Sequence, residues 1–239
     1  MHWIGTSGWM YDHWKGPFYP PDIETEAMLP TYAEAFRTVE VNNTFYQLPD
    51  SETIALWRQR APDDFLFTVK ANRYITHMKN LLDPEEPVNN LIDRVSGLGR
   101  QLGPILFQLP PGWHINEDRL ASFVGVLPPS GRYAFEFRHP SWYAPKIYEI
   151  LADHNCAFCI HDHTDAPSPR ETTADFIYLR FHGPEGKYSR RYPEEALTSW
   201  AERMRRWQNE GQDIFAYFNN DAEGYAVENA KMLKTRLSS

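Results

Sequence analysis

Short runs of alternating apolar and polar residues recur along this chain, most of them followed by a stretch of helical period. In the clearest run Tyr133, Phe135 and Phe137 share one face of an extended segment, and Ala134, Glu136 and Arg138 share the other. Pro140 ends it. Comparable runs at 2–7, 38–42, 65–70, 105–109, 156–160, Phe176–Phe181 and Asp213–Phe218 bring the predicted strands to eight.

Helical period fills most of the gaps. One short helix is predicted at 29–36, and Pro49, Asp50 and Ser51 open another that runs to Arg60. Val88, Leu91, Ile92, Val95 and Leu98 form a stripe of helical period closed by Gly99 and Gly103. Further helices fall at 116–126, at 145–154, from Pro193 with Leu197, Trp200, Met204 and Trp207 on one face, and at 225–237. The exception is 161–169, which has no helical pattern. The pattern therefore predicts an α/β protein with one domain, an irregular TIM-like (β/α)8 barrel that lacks a helix between strands six and seven. A doubly wound open sheet shares the alternation. If it bound a dinucleotide it would carry a G-x-G-x-x-G turn after the first strand, and none stands there. No nucleotide cofactor is implied.

Composition narrows the function by exclusion. With 239 residues, 42% hydrophobic and 23% charged, the chain is of ordinary globular type. A net charge of -8 argues against a surface that wraps nucleic acid non-specifically. The N-terminus shows no basic-then-apolar leader, and no apolar run approaches the roughly 18 residues of a membrane span. The expectation is a soluble, cytoplasmic protein without a membrane partner. Cys156 and Cys159 have C-x-x-C spacing, but they sit in a strand-like run where residues three apart face opposite sides. They read as packing residues, not as a redox or zinc pair.

Barrel chemistry gathers at the C-terminal ends of the strands. The alternation places Glu40, Asn42, Lys70, Gln108, Glu136, Arg138, Asp162, Tyr178, Arg180, His182, Tyr217 and Asn219 there. An unpaired buried charge costs on the order of several kcal/mol, so Lys70, Arg138 and Arg180 are expected to face Glu40, Glu136 and Asp162. The bland alternative is a salt-bridge plug that merely fills the mouth. The functional reading makes Glu40, Lys70, Glu136, Asp162 and His182 the catalytic groups. Asn42, Arg73, Gln108, Arg138, Arg180, Gly183 and Asn219 would bind substrate.

Three finer signals bear on the ligand. The stretch from Arg180 to Tyr188, with Gly183 and Gly186, follows strand seven, where barrels often hold phosphate. Trp9, Tyr11, Trp14, Tyr46, Trp113, Trp142, Tyr143 and Tyr188 crowd the loops, either to stack on a flat ring or to seal the barrel top. Glu40, Glu136, Asp162 and His182 could ligate a divalent metal, but three cations on neighbouring strand ends would repel it, so no metal ligands are assigned. His161, His163 and Asp165 read as an exposed loop. The leading expectation is acid/base chemistry on a small anionic molecule, phosphorylated or nucleotide-like. The alternatives are a module that binds a nucleotide or single-stranded nucleic acid without catalysis, and a metal-dependent hydrolase or isomerase.

Several stretches carry a wider resemblance: Gly5-Thr6-Ser7-Gly8-Trp9, Val39-Glu40-Val41-Asn42-Asn43-Thr44-Phe45-Tyr46, Lys70-Ala71 with Arg73 and Ile75-Thr76-His77, and Phe107-Gln108-Leu109-Pro110-Pro111. They continue through Glu136-Phe137-Arg138-His139-Pro140-Ser141-Trp142, Tyr178-Leu179-Arg180-Phe181-His182-Gly183 and Tyr217-Phe218-Asn219-Asn220-Asp221. Together they span nearly the whole chain and resemble the YecE-like family, a domain family of unknown function. The resemblance implies an incompletely regular TIM barrel and supplies no reaction. Asn43 stands where the family more often has Ser, a change that would alter one polar contact.

Overall fold

The structure, a computed structural model, describes residues 1–163, 167–184, 188 and 190–238. Its strands are β1 (His2–Thr6), β2 (Thr38–Val41), β3 (Leu66–Lys70), β4 (Leu102–Gln108), β5 (Tyr133–Glu136), β6 (Ala157–His161), β7 (Phe176–Phe181) and β8 (Asp213–Phe218). Each strand from β3 onward pairs in parallel with its predecessor, and β8 pairs with β1. The remaining seam is narrow. A single bridge joins Ser7 to Glu40, and the Gly8 N–H donates to the Glu40 carbonyl at 2.8 Å. The fold is thus a TIM-like α/β barrel, nearly closed, with helices between the strands.

Those helices are α1 (Thr25–Ala35), α2 (Ser51–Arg60), α3 (Glu85–Val95), α4 (Glu117–Gly125), α5 (Pro145–Asp153), α6 (Glu194–Asn209) and α7 (Tyr225–Ser238). Asp50 caps α2 by accepting from the Thr53 N–H at 2.8 Å, and Asn116 caps α4 by accepting from Arg119 at 2.9 Å. Between β6 and β7 there is no helix among the described residues, as the missing pattern predicts. Two boundaries differ from expectation. Helix α1 begins four residues before the predicted 29, because Pro30 is tolerated inside it. The hydrogen bond that Pro30 cannot make would have gone to the Glu26 carbonyl, and both residues lie on the exposed side, where water can replace it. Gly103 does not close the α3 stripe. It lies in β4, beyond a 3-10 segment (Ser96–Gln101) kinked at Gly99.

Alternation along the strands separates two cores. Phe67, Phe107, Phe135, Phe137, Leu179 and Phe181 point outward and pack beneath the helices. Leu106, Ala134, Ala157, Cys159, Phe176, Tyr178, Phe215 and Tyr217 point inward and fill the barrel. The two cysteines divide between these cores, and burial pushes the Cys156 thiol up to about 12 and the Cys159 thiol well above its ordinary range. Both are free, buried packing residues.

The barrel interior changes character along its axis. At the N-terminal end Trp3 stacks on Phe215 at 4.6 Å, under the Arg132 guanidinium. Midway, the Tyr217 hydroxyl sits between Thr38 Oγ1 at 2.8 Å and Thr68 Oγ1 at 2.6 Å. Above that level the inward positions become charged. Of the loop aromatics, Trp9, Trp14 and Trp142 are buried in the outer core, Trp9 against Trp57 and Phe67, whereas Tyr46 is 72% exposed.

Candidate active site

Four strand ends build the centre of the mouth. Glu40 on β2 and Glu136 on β5 are both fully buried, and Arg180 on β7 lies between them. Its Nη2 donates to Glu40 Oε1 at 2.7 Å and its Nη1 to Glu136 Oε2 at 2.6 Å. Glu40 also accepts from Ser7 Oγ at 2.7 Å and from the Tyr178 hydroxyl at 2.6 Å. Arg138, just past β5, donates through Nε to Glu136 Oε1 and lies through Nη2 3.1 Å from His182 Nε2. Burial would raise the Glu136 carboxyl, but Arg138 and Arg180 overcome it and hold it well below the usual carboxylate range. Glu136 is a fixed anion at neutral pH.

Two buried imidazoles adjoin this cluster. His161 Nε2 donates to the Phe137 carbonyl at 2.9 Å, and its Nδ1 accepts the His163 N–H at 3.3 Å. Burial pushes it down to about 4, so it is neutral at pH 7. His182 is held well below its ordinary range, first by burial, although Glu136 opposes this. Its Nδ1 lies 3.3 Å from the Asn219 amide. Ligand atoms of Glu136, His161 and His182 come within 4.8 Å of one another, a spacing a metal could bridge. Arg138, however, is already on both Glu136 and His182, and the His161 Nε2 proton is committed to a carbonyl. These donors suit a guanidinium better than a metal ion.

Next to the cluster lies an open cavity of about 560 Å³. Asn42, Lys70, Gln108, Arg138, Arg180 and Asn219 all line it. Lys70 differs from the arginines. Its Nζ forms no ion pair among the described residues and instead sits 4.2 Å above the Phe45 ring. Burial, and then Arg180, lower its ammonium to about 8, against the pull of Glu136 and Glu40. Across the cavity, Asp221 accepts from Trp14 Nε1 at 2.7 Å and pairs with His13 at 2.9 Å, and Glu223 accepts from the Tyr225 hydroxyl at 2.7 Å.

Three expected residues do not join this group. Arg73 is exposed on the turn after β3 and does not line the cavity. Gly183 has the positive φ, 101°, that glycine favours, but its N–H is committed to the Tyr192 hydroxyl at 2.8 Å. Asp162 faces away from the cations: one oxygen accepts the His182 N–H at 2.7 Å and the other accepts from Tyr192. The cause is the choice of face, since the inward series of β6 is odd-numbered and not the even-numbered one that leads to Asp162. His161 therefore continues the inward series of Ala157 and Cys159, and it is buried where an exposed loop was expected. Asp165, Gly186 and the rest of the 185–187 segment lie outside the described residues. The alternation could have found Ser7. Nothing periodic marks His13, Phe45 or Asp221, which reach the cavity from loops.

The family model described as "Protein of unknown function DUF72" matches residues 3–239. The chain belongs to the DUF72 family. The UPF0759 protein YunF of Bacillus subtilis is 28% identical, over 98% of this chain and 93% of its own length. The UPF0759 protein YecE of Escherichia coli K12 is 25% identical, over 87% and 82%. A DUF72 family protein of Thermotoga maritima, known from its crystal structure, superposes with a TM-score of 0.89 at 30% identity, and each chain is covered in full. A DUF72 protein of Enterococcus faecalis has the same fold, with a TM-score of 0.85 at 19% identity over 100% of this chain and 96% of its own.

Proposed function

We propose that this DUF72 protein is an enzyme that acts on a small anionic molecule at the C-terminal mouth of its barrel. The observation that carries the proposal is the charge left over there. Glu40 and Glu136 neutralise Arg180 and Arg138, the two histidines are neutral, and Lys70 remains as a cation on the cavity wall without a carboxylate partner among the described residues. An anion would supply that partner in a site where water screens little. The acidic residues Asp221 and Glu223 line the cavity from the loop after β8, so the cavity is polarised. A substrate would enter with its anionic end toward Lys70 and Arg138.

The roles shift from the expected ones. Glu40 and Glu136 are locked in ion pairs and hold charge, whereas Lys70, lowered to about 8, is the group able to exchange a proton near neutral pH. Asn42, Gln108 and Asn219 offer amide groups for orientation. Thermal-shift and turnover measurements across inorganic phosphate, sugar phosphates, nucleotides and small carboxylates test this. Anions should raise the Tm where neutral analogues do not, and Arg138→Gln should weaken the rise. If no anion shifts the Tm or is turned over, the reading fails. The exposed Tyr46 ring favours a second reading, stacking on single-stranded nucleic acid, which salt-dependent oligonucleotide binding would reveal.

A further inference from the structure

We propose that Lys70 is a nucleophile that forms an imine, and that the substrate is a small carbonyl compound bearing a carboxylate or phosphate group. The inference deepens the anion reading above and rests on it, because the same cavity must hold the anionic end.

Three geometric facts point to covalent chemistry. First, a lysine that serves as a structural cation is normally pinned by a carboxylate. The two carboxylates whose charge acts on it, Glu136 and Glu40, are instead engaged by Arg180 and Arg138. Lys70 has an aromatic face at 4.2 Å, which can carry either an amine or an iminium. Second, Asn42 carries a buried Oδ1 with no hydrogen-bond partner among the described residues. Residues 42 and 70 are neighbours across β2 and β3, one step past the Val41–Val69 pair, and both line the cavity. A buried acceptor left unsatisfied one strand from the lysine gains a partner when the Asn42 amide turns toward a carbinolamine hydroxyl or an iminium N–H, neither of which exists before substrate arrives. Third, Arg138 uses Nε and Nη2 inside the protein and lines the same cavity, leaving Nη1 to grip an anionic group.

The chemistry balances without a cofactor. The ammonium gives up a proton to solvent or to the substrate's own base. The Nζ lone pair then adds to the carbonyl carbon while the π pair moves to oxygen. A proton passes from nitrogen to that oxygen, giving the carbinolamine. The proton released at the start returns to the hydroxyl, which leaves as water, and the nitrogen lone pair closes the C=N bond. The sum is an ammonium and a carbonyl converted to an iminium and water. Burial assists the first step by lowering Lys70 to about 8, which leaves a useful fraction of free amine at neutral pH. The positive iminium then keeps the charge that pairs with the anionic end.

Reductive trapping tests the proposal. The full chain is incubated at pH 7.5 with glyoxylate and cyanoborohydride, or with pyridoxal 5′-phosphate followed by borohydride, and the modified peptides are mapped by mass spectrometry. Hydride transfer to the iminium leaves a stable secondary amine on the reacting lysine. Lys70 should label at least about tenfold faster than an exposed lysine such as Lys146, and inorganic phosphate should protect it. Lys70→Arg should abolish the fast label. Preference for glyoxylate over the pyridoxal ester would identify the carboxylate class, and the reverse the phosphate class. If anions raise the Tm but Lys70 labels no faster than Lys146, the imine proposal is overturned and the anion reading stands. Fast labelling that phosphate does not protect overturns the anionic substrate class. If anions neither stabilise the protein nor compete, both readings fall together.

Discussion

The β2–β5–β7 side of the mouth and the β3 side are built from the same kinds of residue, yet they treat charge in opposite ways. On the first side every ion is answered: Arg180 bridges Glu40 and Glu136, Arg138 takes the other oxygen of Glu136, and Ser7 and Tyr178 complete Glu40. On the second side Lys70 stands at the cavity wall over the Phe45 ring, with no ion pair among the described residues. The salt-bridge plug and the proposed active site, which look like rival explanations of one charged ring, lie side by side in it and share Arg138. The plug fixes the geometry and removes the carboxylates that would otherwise neutralise the lysine. Burying it costs desolvation, and that cost is tolerated because breaking such a cluster costs more.

The sharpest way to break this contrast is to remove the bridging cation. Arg180→Met leaves two buried carboxylates facing each other, and urea unfolding at pH 7 should show a loss of about 3–5 kcal/mol. The loss should shrink in acid. Glu136 is depressed in the fold, so the wild type carries its contribution above the unfolded carboxyl range and loses it as pH falls through the folded value. A loss under about 1 kcal/mol at pH 7 would mean that the sector is not a closed ion cluster. The matching change on the other side should be mild. Lys70→Met removes a cation–ring contact worth about 1 kcal/mol or less. Its signature lies in the pH profile. The folded value near 8 is below the ordinary 10.5, so the unfolded chain holds this proton more tightly and wild-type stability rises between those two pH values. In Lys70→Met that rise should disappear. A wild-type profile already flat across the window would show that Lys70 is not desolvated.

The contrast was only partly legible in the sequence. Strict alternation in 133–138 located Glu136 and Arg138 correctly, because a strand with period two leaves no choice of face once its apolar side is known. The same rule placed Glu40, Asn42, Lys70, Gln108, Arg180, His182 and Asn219 at one end of the barrel. What alternation could not supply was partner choice. Whether Arg180 or Lys70 meets the carboxylates depends on barrel stagger and side-chain reach, and neither leaves a periodic trace. It failed outright where both faces of a strand are buried. Residues 156–161 are apolar or ambiguous throughout, so the inward face of β6 could slip by one residue. That slip exchanged His161 for Asp162.

Asp162 therefore supplies the finest test, since two geometries assign it opposite duties. As a proton carrier in the cavity, its loss would abolish the response to anions. As found, it ties the backbone of His182 to Tyr192. Asp162→Asn keeps an oxygen for the His182 N–H and turns the Tyr192 contact around, so the cost should be about 0.5–1.5 kcal/mol. Burial raises the Asp162 carboxyl to about 6, above its ordinary 3.8, against the hydrogen bonds from Tyr192 and His182. A folded value above the unfolded one contributes stability that is full below 3.8 and lost as pH rises through 6. Unfolding of wild type and Asp162→Asn should therefore diverge most at pH 4 and converge partly by pH 7, while phosphate raises the Tm of both equally. If phosphate no longer stabilises the variant, Asp162 belongs to the open side of the mouth, and the division between the two sectors has been drawn in the wrong place.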